Sequence, residues 1–273
     1  MKAIKFRSVG NVVHFLNEIL ANLGYKVLVS NNFGFDTDVS IRDFQKKNKL
    51  VVDGIVGLKT WSVLIEKNTD FLSHNHKFLS EQDLMVFAIN YNLELATIKA
   101  VNEIESSGKG FLNSGKPKIL FEGHIFWKEL VERGFDPRQF LNSNTQDVLY
   151  ERWTKKFYLG GDAEYLRLEK AVQINPNIGF REAANAATSW GSFQIMGFHA
   201  KNLGYKSVND FVEKMNLSEK EHLEAFGRFL KVKKLIPFLK DKNWSEFALH
   251  YNGSGFKANK YDEKLALAYK KYL

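Results

Sequence analysis

One acidic side chain in this 273-residue sequence stands where a proton-transfer group would need to stand. Ile98, Val101 and Glu105 are spaced i, i+3, i+7, so a helix over residues 94–105 carries all three on one face. Glu103 falls roughly 200° round the same helix, with Lys99 one turn back, and belongs to the solvated side. A carboxylate on an apolar stripe loses hydration, so its pKa is expected to rise. That is what a general acid working near neutral pH requires. Gly108 and Gly110 follow at once, leaving the carboxylate at a helix end beside an open loop. A glutamate that merely capped or paired locally would read the same way.

Other chemistries are less well supplied. With no cysteine, thiol nucleophiles, disulfide scaffolds and Cys-based zinc sites are excluded. The histidines are His14, His74, His76, His124, His199, His222 and His250, and none stands in a His-Glu-x-x-His arrangement. His74-x-His76 lies in a polar stretch and reads as solvated. A zinc peptidase is disfavoured, and no metal or cofactor is expected.

The elements that must position Glu105 are mainly helical. Val12, Leu16, Ile19, Leu20 and Leu23 form a helical stripe over residues 8–23, with Ser8 placed to cap its start and Gly24 its end. Further helices are expected around 38–47 and 60–67. Phe33-Gly-Phe-Asp-Thr37 and Val56-Gly-Leu-Lys-Thr60 repeat the pattern apolar-Gly-x-x-Thr, offset by 23 residues. A glycine turn followed by a threonine capping the next helix accounts for it. Residues 67–77 are polar and lack periodicity, which marks a linker. Beyond it, Ser80-x-x-Asp83 and Ser218-x-x-Glu221 are capping-box starts. Helices are expected over roughly 81–91, 94–105, 162–174, 208–216, 219–233, 244–250 and 257–271. Residues 106–125, broken by glycines and Pro117, hold one short strand at Lys118–Glu122.

Four ordered motifs carry a family resemblance. Ala100-Val-Asn-Glu-Ile-Glu-Ser-Ser-Gly-Lys-Gly-Phe111 resembles the Glu-Ser-x-Gly segment that bears the catalytic glutamate in goose-type lysozymes and lytic transglycosylases. Pro117-Lys-Ile-Leu-Phe-Glu-Gly-His-Ile-Phe126 is similar to a block of the N-acetylmuramidase domain of modular phage endolysins. Ser189-Trp-Gly-Ser-Phe-Gln-Ile-Met-Gly197 and Tyr251-Asn-Gly-Ser-Gly255, with Tyr261-Asp-x-Lys264 behind it, resemble two more of that domain's blocks. In the N-terminal part, Asn22-Leu-Gly-Tyr25, Phe44-Gln45 and Val52-Asp-Gly-Ile-Val-Gly-x-x-Thr-Trp61 are similar to the three-helix peptidoglycan-binding domain. This sequence departs from that pattern at Ser30-Asn-Asn and Phe15-Leu16-Asn17, departures expected to touch ligand contacts more than fold.

The resemblance implies a three-helix peptidoglycan-binding module over residues 1–68, a linker over 69–79 and a lysozyme-like helical domain over 80–273, with a short irregular or β segment near its site. It implies a modular endolysin cutting the bond between N-acetylmuramic acid and N-acetylglucosamine, with Glu105 as general acid. Glycosidases usually add a second carboxylate as nucleophile or base, and Glu122, close behind the glycine-rich loop, is the candidate; a structural carboxylate paired with His124 or a backbone amide is the alternative. Ser189 would contact substrate, and Gln194 would hydrogen-bond substrate or position the glutamate, with stabilising a turn as its alternative. Tyr251 and Asn252 would line the sugar cleft, unless Tyr251 packs in the core. A lytic transglycosylase, in which the sugar's own 6-hydroxyl attacks, and a wall-binding protein without activity are the competing functions.

The formal charge of +8 fits an acidic wall polymer. Residues 1–68 hold ten Lys/Arg against six Asp/Glu, half of the excess, and no nucleic-acid motif accompanies them, so nucleic acid is not an expected partner. The Met-Lys-Ala-Ile-Lys-Phe-Arg start resembles a signal n-region, but His14, Asn17 and Glu18 interrupt any apolar run after it. No signal peptide and no membrane span are expected. The resemblance then implies a monomer held in the host bacterial cytoplasm until it is released to the wall.

Overall fold

The computed structural model describes residues 3–68, 77–106 and 110–273. Most of the expected linker, with His74 and His76, lies outside the described residues, as does Gly108. The chain divides into two compact units, residues 1–101 with 236–273, and residues 102–235.

The first unit begins with α1 (Asn11–Asn22), α2 (Phe35–Lys47) and α3 (Leu58–Lys67). Their apolar residues, three or four apart, close over a core that includes Phe15, Leu16, Leu20, Ile41, Trp61 and Leu64. Phe15 stacks on Trp61 with ring centres 5.9 Å apart. Gly24 takes the left-handed conformation just past α1, as expected. Ser8 does not cap α1, whose N-cap is Gly10; its hydroxyl instead accepts the Lys5 N–H at 3.0 Å.

The repeat has a different cause from the one its pattern suggests. Gly34 and Gly57 are the N-caps of α2 and α3, while Thr37 and Thr60 point inward and are buried. Thr37 Oγ1 donates to Asn17 Oδ1 at 2.8 Å, and Asn17 Nδ2 donates to the Ser30 carbonyl at 2.9 Å. In the second copy Gln45 Nε2 donates to Thr60 Oγ1 at 3.3 Å and to the Ile55 carbonyl at 3.0 Å, while its Oε1 accepts the Gly54 N–H at 2.9 Å. Each copy is thus a buried amide holding a loop and a buried threonine. Unpaired, such groups would cost about 1–3 kcal/mol each. Asn17 is accordingly a fold residue, fully enclosed, and not a ligand contact.

Next comes α4 (Glu81–Asn90), whose capping box is formed: Ser80 Oγ accepts the Asp83 N–H at 3.1 Å and Asp83 Oδ2 accepts the Ser80 N–H at 2.9 Å. Met85 and Ile89 of α4 complete the core of the three-helix module. A chain begun at residue 78 would expose both, at roughly 1.5–3 kcal/mol each. That truncation is therefore expected to melt at lower temperature than the full chain, which a thermal scan checks; an unchanged melting temperature would contradict the shared core. α5 (Leu95–Ser106) starts in this unit, and Lys99 on it pairs with Glu81.

The second unit holds the last turn of α5, β1 (Ile119–Phe121), α6 (Gly123–Glu132), α7 (Ala163–Gln173), α8 (Ile178–Ala186), β2 (Thr188–Trp190), β3 (Ile195–Met196), α9 (Val208–Leu217) and α10 (Glu219–Val232). Phe180 is met edge-on by Phe126, Phe135 and Phe140 at 6.1, 5.0 and 4.8 Å. The expected strand is present as β1, the first in a sheet of order β1-β2-β3. The β2–β3 hairpin, α6 and α8 were not expected: strands of two or three residues are too short to show alternation. The chain returns to the first unit with α11 (Ile236–Lys240), α12 (Trp244–Asn252) and α13 (Tyr261–Lys271). There Lys242 Nζ and Tyr269 Oη both bond Glu94, at 2.7 and 2.6 Å. Among the described residues no single helix is long and apolar enough to cross a membrane.

Candidate active site

Glu105 is the next-to-last residue of α5 and is half-buried, with its Oε1 out of contact with solvent. Ile98 and Val101 on the same stripe are buried, as the spacing requires. Glu103 is half-buried too, so the two carboxylates differ less than the helical pattern alone implies.

Glu122 is placed by the small sheet. β1 and β2 run antiparallel with Leu120 opposite Ser189 and Phe121 opposite Thr188. The Glu122 N–H extends this ladder by one rung, to the Ala187 carbonyl at 3.0 Å. By strand alternation the Glu122 side chain shares a face with Leu120 and, across the sheet, with Ser189. Tyr158 Oη donates to both carboxylate oxygens, at 2.7 and 2.9 Å. His124 Nδ1 lies 3.3 Å from Oε2, outside hydrogen-bond geometry. Burial pushes the His124 pKa down, so the ring is neutral and the principal partner of Glu122 is Tyr158. Burial also raises the Glu122 pKa above the ordinary carboxylate value, and the Tyr158 hydroxyl opposes that rise. Tyr158→Phe is therefore expected to lift the Glu122 pKa further. A carbon-13 titration of the glutamate carboxyls would read the shift, and a fall would overturn the placement of the phenol.

A buried ion pair builds the ground under Glu122. Glu164 Oε2 accepts the Phe121 N–H at 3.2 Å and Arg167 Nη1 at 2.8 Å, while Oε1 accepts the Leu159 and Gly160 N–H groups at 2.7 and 3.1 Å. Arg167 Nη1 donates in turn to the Phe121 carbonyl at 2.8 Å. The outward N–H and carbonyl of Phe121, on the edge strand β1, are thereby satisfied. The loop that carries Tyr158 is tied to the same strand. Neither residue was singled out in the sequence, although the i, i+3 spacing of Glu164 and Arg167 just after Gly160-Gly161 was there to see.

Ser189 and Gln194 meet in the β2–β3 turn. Ser189 Oγ donates to Gln194 Oε1 at 2.9 Å, and Gln194 Nε2 donates to the Gly191 and Lys118 carbonyls at 2.9 and 3.2 Å. Gln194 has φ 48°, a left-handed conformation costly for a residue with a Cβ, and its amide bonds hold the turn in that shape. The turn-stabilising role foreseen for Gln194 is thus what its bonds perform. Tyr251 and Asn252 close α12, which belongs to the first unit. Tyr251 is half-buried and stacks on Phe247 at 5.4 Å. Among the described residues no three of His, Asp and Glu gather as a set of metal ligands.

Residues 94–273 match the model of the N-acetylmuramidase family, and residues 9–64 match that of a putative peptidoglycan binding domain. Among solved structures, the crystal structure of the Burkholderia AP3 phage endolysin is 38% identical, with a TM-score of 0.65 over 100% of this chain and 98% of that one. A comparison with curated proteins returned no match.

Proposed function

The chain belongs to the N-acetylmuramidase family, with a peptidoglycan-binding domain in front, and on that premise we propose how it works as a peptidoglycan-degrading endolysin. It cuts the glycosidic bond between N-acetylmuramic acid and N-acetylglucosamine in the bacterial wall. Glu105 protonates the leaving oxygen as general acid. Glu122 takes the proton of the water that attacks the sugar carbon, so the net reaction is hydrolysis. A carboxylate with a pKa raised by burial and oriented by a phenol suits a base working near neutrality.

The observation that carries the reading is the family match, which covers the Glu105 helix end and the Glu122 strand end together. Ser189 and Gln194 shape the hairpin beside Glu122, and Tyr251 and Asn252 contribute to sugar binding from α12. The enzyme acts as a monomer, and the host cytoplasm holds it until a separate event gives it access to the wall.

Mass spectrometry of fragments released from purified peptidoglycan tests the chemistry. Reducing N-acetylmuramic ends are expected, since water is the nucleophile. Ends in the 1,6-anhydro form would replace hydrolysis by internal attack of the sugar's 6-hydroxyl and remove the base role from Glu122. No release from any wall type would leave a wall-binding protein only.

A further inference from the structure

The residue that ends the glycine-rich segment behind Glu105 is held from three sides. The Gly110 N–H donates to Glu219 Oε1 at 2.6 Å, a bond that spans 109 residues of sequence. A Cβ on Gly110 would stand 2.6 Å from His222 Nδ1 and 2.9 Å from Glu219 Cγ, and would overlap Ser192 Oγ. Only glycine lets the backbone approach so closely. Ser192, Glu219 and His222 are all buried.

The histidine's own bonds are fixed. Its Nδ1 accepts the Ser192 backbone N–H at 3.1 Å and lies 3.1 Å from Ser192 Oγ. The proton therefore sits on Nε2, which donates to the Met215 carbonyl at 2.7 Å. Its ring stacks on Phe111, the residue after Gly110, at 5.0 Å. With both nitrogens bonded inside the fold, His222 is in no position to activate Ser192 as a nucleophile. Burial pushes the imidazole pKa down to about 4, so the ring is neutral near pH 7.

Two pieces of the site run into this cluster. Glu105 lies in the last turn of α5, where helices fray unless the following chain is held, and Gly110 comes five residues later. Ser192 lies in the turn that carries Gln194. We propose that Glu219, His222 and Ser192 form a clamp on Gly110 that fixes the last turn of α5, and with it the Glu105 carboxylate, relative to the β2–β3 hairpin. Glu219 and His222 are then positioning residues of the reaction. This rests on the reading of Glu105 as the acid.

The test measures kcat and apparent KM on purified, labelled peptidoglycan, together with circular dichroism and thermal melting of each variant. Glu219→Ala removes the acceptor for the Gly110 N–H and is expected to lower kcat roughly tenfold to a hundredfold, as displacement of a catalytic group does, with apparent KM unchanged. Glu219→Gln keeps an acceptor oxygen at the same place and is expected to restore most of that loss. Gly110→Ala, which drives a methyl into the clamp, is expected to repeat the kcat loss, and it carries the comparison if Glu219→Ala does not fold. A Glu219→Ala protein with a lower melting temperature but wild-type kcat, alongside an inactive Glu105→Gln, overturns the clamp and leaves the acid in place. An active Glu105→Gln overturns the assignment of the acid itself.

Discussion

Glu105→Gln is expected to release no soluble glycan fragments from purified walls while still sedimenting with them. The amide keeps the volume of the carboxyl at the end of α5 but cannot give the leaving oxygen a proton. General acid catalysis is worth about 10²–10⁴-fold, so the rate should fall at least a hundredfold. Wall retention should persist, because the peptidoglycan-binding match lies in residues 9–64, in helices that do not include Glu105. A turbidity assay on wall suspensions, paired with a pull-down of the same preparations, separates the two effects. Continued clearing by the variant would remove Glu105 from the chemistry.

The second large effect is on stability. Glu164→Ala is expected to cost about 3–5 kcal/mol, the usual penalty for removing one member of a buried ion pair. The side chain is 0% exposed and holds three backbone N–H groups besides Arg167. Its loss strands the guanidinium and frees both the outer edge of β1 and the Tyr158 loop. In a domain of this size the melting temperature should drop by roughly 6–20 °C. Much of that cost is the unpaired charge, so Glu164→Ala with Arg167→Met should be less destabilised than Glu164→Ala alone. Equal melting temperatures for Glu164→Ala and the wild type would refute the network.

The same carboxylate gives a pH signature. Burial alone would raise the Glu164 pKa, but the Leu159 and Gly160 N–H groups, Arg167 and the Phe121 N–H outweigh it and hold the group below its ordinary value. The folded-state pKa therefore lies below that of the unfolded chain. The stabilisation is complete above the unfolded value of about 4.3 and fades as pH falls from there through the folded value. Wild type should lose stability over that acid range more steeply than Glu164→Ala, as melts at several pH values would show.

The helices were legible because each signal is local. The stripe Leu16, Ile19, Leu20 yields α1, and Ser80 with Asp83 yields the start of α4, since capping and periodicity act over three or four residues. The repeated threonines show where that logic stops: Thr37 and Thr60 sit near helix starts, as the pattern said, yet they face inward to Asn17 and Gln45. A cap and a buried partner look alike until the packing is known. The placement of Met85 and Ile89 in the core of the first three helices was equally hidden, because the polar run before them reads as a separation.

By itself the sequence determined the mainly helical class, the N-terminal three-helix module, the position of Glu105 at a helix end and the family to which the motifs belong. These depend on residue types at short, fixed spacing. Only the tertiary structure decided that Glu122 is oriented by Tyr158, that Glu164 and Arg167 hold β1, that Gln194 bonds its own turn, and that Glu219, His222 and Ser192 close on Gly110. Those contacts join positions at least 36 residues apart in the chain, or depend on a turn too short to pattern. Hydrogen bonds and burial at that range follow from how the elements pack, and no local spacing encodes them.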